Sequence, residues 1–150
     1  MIPNEFFAHE ADEVFSAFAS SLESGDLTPA FRSCIEVASE GFSDNFGATK
    51  APYGTWPPHS PVTVAIHGPH PLLILTGDMY RAVTKEGSEG RIQDLEPRSL
   101  VLGTDLFYAA WQQYGTAKIP PRPFLWLDKP FVVQVTEVFA DASYRIFVGV

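Results

Sequence analysis

Prolines settle most of what this chain cannot fold into. There are 13 of them in 150 residues, and they cluster. Pro120, Pro121 and Pro123 fall in "KIPPRPFLWL", Lys118 to Leu127, just after the aromatic run "YAAWQQY". Proline lacks a backbone donor, fixes its own φ and pushes its predecessor out of the α region. The segment is therefore predicted to be a stiff, extended strap. It holds no histidine, cysteine or acid, so its role is to be sought in shape and contact.

A second cluster, "GATKAPYGTWPPHSPVTVAIHGPHP" from Gly47 to Pro71, contains six more prolines. Only "VTVAI", Val62 to Ile66, is left to form an element, and its β-branched content predicts a short strand. Trp56 lies between "YGT" and "PP", on a turn that should fold its indole back onto the preceding helices. Those helices occupy the first 46 residues as a predicted hairpin. Phe7, Ala11, Val14, Phe15, Phe18 and Leu22 form one apolar stripe, with Asn4 as its N-cap and Gly25 as its C′ residue. The second helix starts with Thr28 at the cap and Pro29 at the first helical position. Phe31, Cys34, Ile35, Ala38 and Phe42 make its buried face.

Beyond the proline clusters the punctuation is clearer. Thr76 is a predicted N-cap, with Asp78 in the first turn of a short helix ending near Thr84. "RIQDLEPRSLVLGT" predicts two short strands around Glu96-Pro97. "DLFYAAWQQYG" predicts a helix from about Asp105 that Gly115 closes. After Pro130, Phe131, Val135, Val138, Ala142 and Ile146 have helical spacing, whereas the β-branched content fits a strand; helix is favoured. The expected fold is α+β in a single domain over residues 1–150: helical hairpin, small antiparallel sheet, short helices, strap and C-terminal helix.

Composition narrows the function. A hydrophobic fraction of 45% with 13% aromatics suits a folded core. The formal charge of −8 argues against gripping phosphate, because nucleic-acid affinity is mostly cation contact. Such a surface instead keeps DNA from sticking. Cys34 is the single cysteine, which excludes an intramolecular disulfide. No apolar run approaches 18 residues, so no membrane span is expected. The N-terminus lacks the basic start of a signal peptide, and a cytoplasmic origin is the default.

Candidate chemistry is sparse. Of the four histidines only His67 and His70 are close in sequence, and the Gly-Pro between them does not set them on one helical face. A metal site needs further ligands, so a solvated loop is the preferred reading. Cys34 sits on an apolar stripe and reads as a small core residue. Asp12-Glu13 and Glu36 with Glu40 have the spacing of solvated helix faces. "TGD" is too short to mark a phosphate loop. No catalytic constellation, metal or cofactor is expected.

Four blocks in order carry a resemblance: "APYGTWPPHS", "LILTGDMYRAVT", "LVLGTDLFYAAWQQYGT" and "IPPRPFL". Together they resemble the phage virion morphogenesis family, the tail-completion proteins of Mu-like and related contractile-tailed phages. The likeness spans roughly residues 27–127. Gln112 stands where that family usually has histidine, and Met79 where it usually has leucine.

The resemblance implies a non-enzymatic structural protein of the virion neck, made in the host cytoplasm and needed to complete tails and join heads to them. It implies a ring of identical subunits, with six expected from tail symmetry. Partners would be neck and tail proteins such as the tail terminator and head–tail connector, with DNA passing nearby but not specifically bound and no membrane involved. Trp56, Gly77, Tyr108, Gly115 and Pro120 are the structural positions of the shared blocks.

Arg122, Pro123, Phe124 and Trp126 are the suspected assembly interface, since a preformed strap loses little entropy on docking. The same residues could equally cover the protein's own core, with Arg122 tied to its own acids. Two other classes stay open. One is a small metal-dependent enzyme or ligand-binding domain using His67, His70 and a remote acid. The other is a peptide-binding module using the aromatic, proline-rich face.

Overall fold

A computed structural model of the chain describes residues 25–149; the first helix expected from the sequence lies outside the described residues. The fold is α+β. In chain order it comprises α1 (Thr28–Gly47), β1 (Lys50–Ala51), β2 (Gly54–Thr55), α2 (Pro61–His67) and α3 (Asp78–Thr84). The hairpin strands β3 (Arg91–Glu96) and β4 (Ser99–Thr104) follow, then α4 (Ala109–Tyr114) and α5 (Lys129–Val148).

The apolar stripe read from the sequence is the buried face of α1, and it continues to Phe46. Pro29 stands in the first turn, one position later than expected, because the helix begins at Thr28. The cap is displaced by one residue, to Leu27, which makes no side-chain cap bond; the Asp26 carboxylate accepts from the Thr28 N–H at 2.9 Å, and Leu27 donates to Pro97 O in the hairpin turn at 2.7 Å. Cys34 is buried and burial pushes its thiol pKa up, as befits a core residue.

The segment after Pro130 is helical. Asp128 caps α5 by accepting from the Phe131 N–H at 3.3 Å, and a proline opens the helix. This start, with a run of apolar residues facing α1, outweighs the β-branched content. Phe31 and Phe139 meet across the two helices with centroids 5.0 Å apart. Gly41 lets them close: a Cβ there would overlap the Leu127 side chain and lie 3.0 Å from the Phe131 ring.

The hairpin is as predicted, antiparallel from Arg91↔Thr104 to Glu96↔Ser99. A second, two-residue ladder pairs β1 with β2; it is too short to announce itself in sequence.

The strand expected at "VTVAI" is instead α2. Ser60 accepts from the Thr63 N–H at 3.1 Å, and Pro61 occupies the helix start. A cap and a proline at the first position favour helix, and a lone strand without a partner has no ladder to join. Gly77, not Thr76, is the N-cap residue of α3, in left-handed backbone with φ 82°. The helix expected from Asp105 begins only at Ala109, because Thr104 Oγ1 holds the Leu106 N–H at 3.2 Å in a turn.

Candidate functional site

The strap is the centre of the molecule. Phe124 is fully buried, with its ring centroid 5.7 Å from that of Phe46. Trp56 packs edge-on to the same Phe46 ring at 5.5 Å and donates its indole N–H to Pro123 O at 2.9 Å. Its indole does fold back onto the helix that precedes it. The Asn45 Nδ2 reaches from α1 to donate to Phe124 O at 2.9 Å and Trp126 O at 2.7 Å.

Gln113 Oε1 accepts from the N–H groups of Phe124 and Leu125 at 2.9 and 3.0 Å. An extended segment without a neighbouring strand must pair its backbone groups some other way; here two amide side chains do it. Asn45→Ala would leave two carbonyls short of donors in the interior, an expected loss of about 2–3 kcal/mol, read as a lower urea midpoint at unchanged slope.

These contacts correct the picture of the strap as a docking element. Arg122 is 7% exposed and Phe124 0%. The folded protomer has already claimed both. Nor is Arg122 tied to an acid: Nε donates to Pro57 O and Nη2 to Pro58 O, both at 2.9 Å. Burial draws its pKa below the ordinary arginine value. Pro123 and Trp126 are half-buried, and the Trp126 indole faces Lys50 O at 3.4 Å. The arginine and the large aromatic of the strap anchor it to its own chain.

Gly115 closes α4 with φ 75°, and a side chain there would press on Ile119 O and Pro121, both at 2.9 Å. That glycine is what allows the chain to turn from α4 into the strap. Pro120 is exposed at the turn's end.

A cleft of about 640 Å³ opens beside the strap. Its walls come from α2, the loop before α3, α4 and Arg122. Tyr108 lies in this wall, and burial raises its hydroxyl pKa, with Asp78 adding to the shift. His67, exposed at the end of α2, and His70, in the loop that follows, both line the cleft. Their rings are 6.4 Å apart, whereas His59 lies tilted against His70 with centroids at 4.2 Å. Among the described residues no group of three or more histidines, cysteines or acids is placed to hold a metal ion.

Backbone carbonyls settle the histidine tautomers, because a carbonyl only accepts. His59 Nε2 donates to His70 O at 3.2 Å, and His70 Nδ1 donates to Pro71 O at 2.9 Å. His70 Nε2 is left buried without a partner, and so is Gln112 Oε1. The pairing of His59 with His70 had no signal in their spacing. The polar Asn45 between Phe42 and Phe46 did: an amide on an apolar stripe asks for a buried partner.

The outer side of α4 is apolar. Phe107 is 75% exposed, Trp111 47% and Tyr114 81%. Trp111 and Tyr114 are three apart on the helix, and Phe107, in the turn just before it, meets Trp111 edge-on at 5.5 Å. Val62 and Ile66 on α2 are exposed as well. No family model, characterised protein or solved structure matches the chain.

Proposed function

We propose that this protein is a structural component of a contractile-tailed phage particle. It acts at the head–tail junction as a ring of identical subunits that completes the tail. The observation that carries the reading is the aromatic face of Phe107, Trp111 and Tyr114, which the folded protomer leaves in solvent. Monomers rarely expose a contiguous aromatic face without a partner to cover it. The face also falls inside one of the four blocks that resemble the tail-completion family. The interface thus moves from the strap to α4, while the strap becomes the frame that holds α4 in place.

Ring contacts are heterologous: the aromatic face of one subunit meets a different surface of the next, and rotation closes the circle. With a formal charge of −8, such a ring would let DNA pass without holding it.

Phe107→Ser with Tyr114→Ser should therefore leave the melting temperature unchanged, as expected for exposed positions, and abolish ring formation. Thermal melts read the first effect, and sedimentation velocity with particle images of the purified protein reads the second. Full heads beside unjoined tails in a complemented lysate would show the consequence for the particle. A double variant that assembles and joins normally would overturn the reading.

A further inference from the structure

We propose that the cleft between α2, α4 and the strap binds an acidic, apolar peptide segment. Its carboxylate pairs with Arg122, and its backbone N–H groups satisfy His70 and Gln112. The inference stands apart from the assembly reading, since it concerns the inner wall of α4 and not its outer face.

Arg122 is the first reason. It is 7% exposed, yet among the described residues no carboxylate lies within salt-bridge distance of it. A guanidinium has five N–H groups, and the two bonds to Pro57 O and Pro58 O leave the others without a protein partner among the described residues. A buried cation held only by neutral carbonyls is poorly compensated. An arriving carboxylate can supply the missing charge and accept the spare donors in the fork geometry that guanidinium favours.

The surrounding charge agrees. Lys118 adds a second cation to the wall, and Asp78 is the acid that lines it. That acid is already engaged by Arg81 and by the Thr76 hydroxyl. A cation-rich cleft on a chain of net charge −8 is electrostatically set apart from the rest of the surface.

The two unpartnered acceptors choose between kinds of anion. His70 Nε2 and Gln112 Oε1 are buried without donors, and both residues line the cleft. A free carboxylate would answer Arg122 but bring no donor to these atoms, and inorganic phosphate would bring hydroxyls but nothing to cover an apolar wall. A peptide brings both. Leu73, Leu75, Ile119 and Pro120 supply an apolar wall for side chains flanking the acid. The volume of about 640 Å³ lies within the usual range of small-ligand sites and suits a few residues.

The test uses the full chain and three probes: a capped pentapeptide Leu-Glu-Phe-Glu-Leu, its Leu-Gln-Phe-Gln-Leu counterpart, and inorganic phosphate. Titrations are followed by nitrogen-15 NMR at the Arg122 Nε–H and the His70 ring. The acidic peptide should shift both signals with a Kd below about 1 mM, and the glutamine peptide should bind at least roughly tenfold more weakly, the loss expected for one charged pair.

Because Arg122 also braces the strap, the matching variant is Lys118→Glu, an exposed position that should fold normally and weaken the acidic peptide several-fold. Equal binding of the two peptides would overturn the proposal. So would phosphate competing as well as the acidic peptide, or an Arg122 signal that no probe moves.

Discussion

Phe124→Ala is expected to remove about 3–5 kcal/mol of folding stability, the usual loss for deleting a fully buried large aromatic. For a domain of this size that is enough to unfold a large share of molecules at 37 °C. Phe124 has no exposed surface and sits against Phe46, with its carbonyl held by Asn45 and its N–H by Gln113. The polar staples hold the backbone in place, so the surroundings cannot collapse into the space the ring leaves. Urea unfolding and the soluble fraction on expression would both record the loss. A variant that melts like the parent would mean that Phe124 faces a partner and not its own core.

Trp56→Ala should have an effect of similar size, about 3–5 kcal/mol, and for two separable reasons. The indole is 3% exposed and packs edge-on to Phe46, and its N–H also bonds Pro123 O. Trp56→Phe keeps much of the packing and drops the hydrogen bond, so it should lose only about 1–3 kcal/mol. Because Trp56 and Phe124 share Phe46 and the strap, Trp56→Ala with Phe124→Ala should fall short of the sum. Two fully additive losses, measured by denaturant melts, would show that the rings do not share a cluster.

Much of the architecture could be read before any coordinates. Periodic apolar residues placed α1, and the Glu96-Pro97 turn placed the hairpin. Prolines fixed the strap as extended, because backbone chemistry alone forbids the alternatives. Errors arose where two local signals competed. At "VTVAI" the β-branched residues pointed to a strand, and the Ser60-Pro61 start prevailed. At Asp105 the Thr104 hydroxyl formed a turn and delayed the helix.

The strap's destination was a different kind of question. Stiffness, a guanidinium fork and large aromatics suit an anchor whether it docks on a neighbour or at home. Only the position of Phe46 and Trp56 decides between these, and that position depends on contacts made far along the chain. The cleft was hidden for the same reason, since His59, His70, Gln112 and Arg122 line one cleft only once the strap is in place.

Those long connections also set an order of events during synthesis. The bond from Asn45 to Phe124 spans 79 positions, the one from Trp56 to Pro123 spans 67, and Cys34 reaches Val135 across 101. A ribosome delivers the N-terminal part first, at about 5–20 residues per second. Contacts this distant in sequence form slowly even when both partners are free. For several seconds of each round of translation, Phe46 and Trp56 are therefore without their cover. The nascent chain is then open to chaperones and to self-association, and the exposure ends only when the proline strap emerges and latches the core.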